Sequence, residues 1–439
     1  MKAQAACFMA LAWAVPAFAT NAVIREGSVS ATQNPSHRLI VGYTLDNGPA
    51  IVTFDVRTNG VSIGAAPLAN AQGDVNRLTE PGSREFTWKA TKGWPGHYFP
   101  ANGDVRVSVH VIAWDPACAP EVMVVNLRAP SDVMYYTSLD GVPGGIQDPV
   151  YKTDKLVLRK IPAEYVTWKM GSPESEPGYN RYDDVQHPVK LTKDYYLGVY
   201  EVTQRQWQNV MGSRPSHFNG DGCWETRPVE SVGYSIEDSG HAADVRGNSD
   251  WPTGNDPHAV HGLSFFGRLR KLTGLAGLDL PTDAQWEYAC RAGSGGPYYG
   301  DLEYGAESLG LLARFRDNGS VDGETVPGNA CAADRGTASV GSYRPNAWGL
   351  YDMLGNVGEM CLDQFTQYGA DAVVDPVGSS EADSQYHVFR GGSWRESLLS
   401  TRCGSRTIWS DSFGYQVDAR VRIWERENYI GFRVCLHLK

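Results

Sequence analysis

Residues 280–293 read LPTDAQWEYACRAG. Thr282 and Gln285 form the pattern of a capping box. The threonine hydroxyl can accept from an orphan amide of the first helical turn, while the glutamine reaches back to the cap amide. Asp283 in that first turn complements the helix dipole. The stretch therefore predicts a short, well-started helix. Upstream, LSFFGRLRKLTG (263–274) predicts an amphipathic helix closed by Gly274. Thr203-x-x-Gln206 repeats the capping box and predicts a helix from about Gln204. Between these helices lies a long polar stretch, NGDGCWETRPVESVGYSIEDSGHAADVRGNSDWPTGNDPHAV (219–260). A loop of that length inside a domain is usually functional or an insertion.

The N-terminal part reads differently. HRLIVGYTL, AIVTFDVRT, REFTWKA, VRVSVHVIAW and EVMVVNL are short runs rich in β-branched and aromatic residues, separated by Asn-Gly and Asp-Asn-Gly-Pro turns. They predict an all-β sandwich over residues 22–130, of fibronectin or immunoglobulin type. A linker around LDGVPGGIQDP is expected over 131–157, and a second domain over 158–439. Residues 1–19 carry one lysine, an apolar run and Ala17-Phe18-Ala19, the pattern of a secretory signal peptide. That predicts an extracytoplasmic protein, periplasmic or secreted. No later apolar stretch is long enough to span a membrane as a helix.

The composition, with 42% apolar and 20% charged residues in 439, supports packed cores rather than disorder. The 48 glycines and 25 prolines favour a loop-rich fold. A net charge of -11 with no basic run excludes a nucleic-acid footprint and suits a hard cation. Of eight cysteines, Cys7 leaves with the signal. The odd remainder leaves at least one thiol unpaired, and no C-x-x-C motif suggests a zinc ribbon or thioredoxin-like centre.

MGSP, YYLGVYEVTQRQW, RPVESV, LPTDAQWEYACRAG, NAWGLYDMLGNVGEM, FRGGSW, RCGSR and GFRVCL occur in that order from about Val166 onward. Together they resemble the formylglycine-generating enzyme, or sulfatase-modifying factor, family. The resemblance implies an irregular C-type-lectin-like α+β domain, here preceded by the all-β sandwich. In the aerobic enzymes of the family, two cysteines beyond the Gly-Gly-Ser motif hold copper as thiolates; soft thiolates suit Cu(I). In this chain Glu396 stands in the first cysteine's place, and the second falls among Ser397, Leu398, Leu399 and Ser400. Copper is therefore not expected. Cys403 matches a family position that bridges to the helix after the LPT motif, which implies a Cys290–Cys403 disulfide. Arg390, Ser393, Trp394, Glu396 and Arg406 are the candidate ligand-pocket residues; the alternative for the two arginines is pairing with buried carboxylates, and for Trp394 packing.

The resemblance also implies a calcium site at Asp352, Gly355, Val357 and Glu359. Calcium prefers six to eight oxygens, and a tight Gly-Asn turn can aim carbonyls inward. A second family site near 313–323 would draw on Asp317, Asn318 and Asp322, but the register departs from the pattern. His258-x-x-His261 lacks a third ligand, and the acidic loop of Glu174, Glu176, Asp183 and Asp184 reads as a solvated face. The function expected is that of a non-oxidase binding protein for a protein, peptide or glycan ligand, with Trp224, Trp251, Tyr415 and Trp424 as candidate surface aromatics. The alternative is a diverged oxidase of protein cysteine or another small substrate, using Cys361 or Cys435.

Overall fold

The computed structural model describes residues 22–95, 107–129, 132–181, 184–220, 222–234, 244–247, 259–300, 305–319, 336–377, 386–406, 408–410, 415–417, 420–422 and 426–438. The chain divides into two compact units, one ending at Cys118 and one running from Ala119 onward and including residues 64–69.

The first unit is built from two antiparallel sheets. Strand Arg38–Asp46 alternates strictly, turning Leu39, Val41, Tyr43 and Leu45 inward, as a half-buried strand must. It pairs with Gly82–Lys89, which contributes Phe86 and Trp88. Ala50–Thr58 and Val107–Trp114 pair along eight residues in the other sheet. Phe54 meets Phe86 at 4.6 Å and Trp88 at 6.2 Å between ring centroids, so aromatic side chains from both sheets share one core.

The fifth β-rich run belongs elsewhere. Val122–Asn126 pairs on one edge with Val133–Tyr136 and on the other with Lys155–Ile161, inside the second unit. Val122, Met123, Val124 and Val125 are all buried, as a central strand covered on both faces requires. The segment expected as a linker, 131–157, thus holds a strand and two 3-10 turns, Leu139–Gly141 and Pro149–Lys152. A run of β-formers reads alike whichever sheet recruits it, so composition placed this boundary too late.

The second unit is mixed α/β, rich in sheet and poor in helix. Its six-stranded antiparallel sheet runs Val133–Tyr136, Val122–Asn126, Lys155–Ile161, Tyr195–Gly198, Cys435–His437, Leu278–Asp279. The helices expected from their caps form at Gln204–Met211, Phe265–Thr273 and Asp283–Arg291. Both capping boxes close: Gln206 N donates to Thr203 Oγ1 at 3.2 Å, and Gln285 N donates to Thr282 Oγ1 at 3.2 Å. Such a cap stabilises by about 1 kcal/mol. Trp207 stacks on Phe265 at 5.4 Å, joining two of the helices. A further sheet sets Gly358–Gln364 between Tyr386–Arg390 and Ile430–Gly431 and places Glu359 opposite Arg390. Among the described residues no helix is long and apolar enough to cross a membrane.

Candidate functional site

Helix Asp283–Arg291 buries its charged residues as well as its apolar ones: Asp283, Glu287 and Arg291 lie inside with Trp286 and Ala289. Carboxylates so placed need counter-charges, and the block 390–406 supplies them. Arg390 Nη2 donates to Glu287 at 2.7 Å and its Nε to Asp283, while Nη1 reaches the carbonyl of Ser405 at 3.1 Å. Arg406 pairs with Asp283 at 3.1 Å and lies over the ring of Tyr368 at 4.0 Å. Burial would raise the Asp283 carboxyl, but the two guanidiniums outweigh it and hold that group below its ordinary range. Both arginines, left open in the sequence between a ligand and a buried carboxylate, are turned inward and tied to the helix. Arg402 does the same for another segment, pairing with Asp184 at 2.8 Å and with Glu176. The acidic loop expected to be solvated is therefore half interior: Glu176 and Asp184 are buried, Glu174 is exposed, and Asp183 lies outside the described residues.

Ser393, Trp394 and Glu396 do come together. A Cβ on Gly392 (φ 66°) would stand 3.0 Å from the Ser400 carbonyl, so only glycine lets the loop fold back this closely. Trp394 packs edge-on against Phe218 at 5.4 Å and donates through Nε1 to the Asn428 carbonyl at 3.1 Å. Ser393 Oγ donates to Glu396 Oε2, and Glu396 Oε1 has no hydrogen-bond partner. Glu396 is 2% exposed. Burial pushes its carboxyl up to about 7, partly offset by the Ser393 hydrogen bond.

The thiols lie elsewhere. Cys290 and Cys403 meet in the apolar core with their sulfurs 3.5 Å apart, as two unbonded thiols. The disulfide expected between them is not formed in this structure, since an S–S bond requires about 2.05 Å. Burial drives the Cys290 thiol well above its ordinary range, which disfavours the thiolate that a soft metal requires. Cys361 and Cys435 are also buried, near Glu359 O at 3.9 Å and Gln285 Oε1 at 3.9 Å. Among the described residues the hydrogen bonds of these two thiols go to those partners and not to Ser393 or Glu396.

The loop 352–359 is tightly built. A Cβ on Gly355 would fall 2.1 Å from the Arg314 carbonyl. Asp352 Oδ2 accepts from Gly341 N at 2.6 Å, while its buried Oδ1 has no hydrogen-bond partner. Glu359 accepts from Trp286 Nε1 at 2.7 Å and from Arg433 Nε at 2.6 Å. Glu201 accepts from Val357 N at 3.1 Å and Asn356 Nδ2 at 2.6 Å. Burial first, and then the neighbouring carboxylates, push Glu201 well above its usual range; burial above all brings Asp352 up to about 6. Among the described residues no three acidic, histidine or cysteine side chains converge on one point. The donor chemistry suits a hard cation through its hard oxygens and one orphaned buried carboxylate oxygen, and such an ion would share Glu359 with Arg433 and Trp286. Asp352 and Glu359, with the carbonyls of Gly355 and Val357, would hold it.

Residues 159–436 match the sulfatase-modifying factor enzyme 1-like domain family. This chain belongs to that family. It is 30% identical over 216 residues to chaperone protein LppX of Paenibacillus barcinonensis, covering 47% of this chain and 71% of that one. It is 26% identical over 293 residues to formylglycine-generating enzyme of Bos taurus, covering 61% and 72%. Among solved structures, Treponema denticola variable protein 1 aligns over 64% of this chain and 95% of its own at 26% identity, with a TM-score of 0.44.

Within this sulfatase-modifying factor domain, other sequence candidates find local uses. Asn318 closes its own turn, accepting from Phe315 N at 2.8 Å, while Asp317 stands beside Arg316 and Asp322 lies outside the described residues. Trp224 has Arg214 over its ring at 3.7 Å and Arg205 at 4.7 Å. Trp251, Trp424, His258 and the Tyr415 side chain lie outside the described residues. Glu201 is the residue that sequence reading missed; it sits in YEVTQRQW, and only its contact with the distant 352–359 loop reveals it.

Proposed function

We propose that this chain is a non-oxidase member of the family: an exported binding protein whose lectin-like second domain engages a protein, peptide or glycan, with a β-sandwich before it as spacer. One observation carries the reading. Where copper-using relatives present a pair of thiolates, this chain has Ser393 and Glu396 joined to each other, and its adjacent pair of thiols is sealed in the core. A carboxylic acid is a poor ligand for Cu(I). The chaperone named among its relatives supports an interaction role. A calcium ion at Asp352, Gly355, Val357 and Glu359 would act structurally, neutralising buried carboxylates.

The test is copper content of the purified full chain, together with oxygen uptake on a cysteine-containing peptide. Metal far below one equivalent and no uptake supports the reading. One copper per chain with oxygen consumption overturns it in favour of a diverged oxidase. Signal processing is checked separately, by N-terminal sequencing of protein recovered outside the cytoplasm.

A further inference from the structure

One charge beside the calcium loop has no part in the reading above. Lys152 ends the 3-10 turn Pro149–Lys152. Its ammonium lies 5.2 Å from the centroid of the Tyr200 ring and donates to Gln147 Oε1 at 2.8 Å. Gly341 stands between this ammonium and Asp352. The glycine amide donates to Asp352 Oδ2 at 2.6 Å, and a Cβ added to Gly341 would sit 2.9 Å from Lys152 Nζ. The ammonium therefore reaches the carboxylate across one residue that has no side chain, held at a φ of 73° that favours glycine. The opposite oxygen, Asp352 Oδ1, is buried and has no hydrogen-bond partner.

Arg433 and Lys152 favour the ionised form of Asp352, while Glu359 and Glu201 oppose it. Arg433 is committed elsewhere, with Nε on Glu359 at 2.6 Å and Nη1 on the Gly198 carbonyl at 2.9 Å. Lys152 is the more mobile of the two cations, with a flexible stem and a partly exposed position. A divalent ion drawn to Oδ1 would share the Asp352 carboxylate with this ammonium on its other side, and like charges repel through a buried setting.

We propose that Lys152 is a tethered counter-ion that competes with a divalent cation for Asp352 and so sets the affinity of the calcium site. The proposal rests on the calcium reading given above. It identifies a lysine from outside the loop motif as the residue that tunes the loop, and it predicts that a neutral side chain of similar shape there tightens calcium binding.

Calorimetric titration of calcium chloride into the full chain stripped with chelator, with the melting temperature followed in parallel, tests this. Lys152→Met should bind at least about tenfold more tightly than the wild type. Lys152→Arg, which keeps the charge, should stay near the wild-type value. Equal affinity of the wild type and Lys152→Met would overturn the counter-ion role while leaving the calcium reading standing. Absence of heat and of any melting shift in all variants would remove the calcium reading, and the proposal with it. Should Lys152→Met fail to fold, Lys152→Gln is measured against the same criteria.

Discussion

Replacing Glu396 by glutamine keeps its shape and its hydrogen bond to Ser393 but removes its ionisation. The wild-type carboxyl titrates at about 7 in the folded chain, against 4.5 ordinarily. A folded-state value raised in this way means that the folded chain holds the proton more tightly than the unfolded one. Protonation then favours folding, and the wild type loses stability as pH rises from about 4.5 to 7, with a constant deficit above that. The gap corresponds to about 3 kcal/mol at full effect. Glu396→Gln escapes the deficit. Urea unfolding of both proteins should therefore show the variant more stable by up to about 3 kcal/mol at pH 8, with the difference closing towards pH 4.5. Asp352, His387 and the other titrating groups are common to both chains and cancel in the comparison. A difference that stays constant across this range, or a variant less stable at pH 8, would refute the idea that an ionisable, dehydrated carboxyl sits at this position.

Two further outcomes follow from the buried charges. Arg402→Met leaves Glu176 and Asp184 without their cation inside the protein; it should lower stability by about 3–5 kcal/mol in denaturant unfolding, with much of that recovered when both carboxylates are neutralised as well. His387 is buried and stacked on Tyr234 at 3.8 Å, and burial depresses its imidazole to about 3. Its neutral form contributes stability that is present above the unfolded value of 6.5 and lost as pH falls towards 3. His387→Phe should flatten that acid limb in thermal melts at pH 4 and pH 7.

The parts of this fold legible in sequence are those fixed by near neighbours. Thr203 with Gln206, and Thr282 with Gln285, span three residues each, and both helices start where those pairs place them. The alternation in Arg38–Asp46 is equally local. What escaped depends on distant partners. Arg402 meets Asp184 across 218 residues and Glu176 across 226, so an acidic loop that looks solvated from its own composition is partly interior. Arg390 could be read as pairing with some buried carboxylate or facing a ligand, but its actual partners, Asp283 and Glu287, lie more than a hundred residues earlier and are invisible from within its own motif. Val122–Asn126 carries a strand's composition but nothing that names its sheet. Ser393 and Glu396 stand out in the sequence as pocket candidates, but their hydrogen bond to each other, though it spans only three residues, is visible only in the structure.

Among the described residues, the strand Cys435–His437 lies between Tyr195–Gly198 and Leu278–Asp279 and joins them in the six-stranded sheet. During ribosomal synthesis both of its neighbours emerge well over a hundred residues ahead of it and wait with naked, sticky margins. Leu278–Asp279 can join this sheet only once Cys435–His437 has been made, so translation products stopped short of Cys435 should be clients for holding factors and proteases rather than shortened but working proteins.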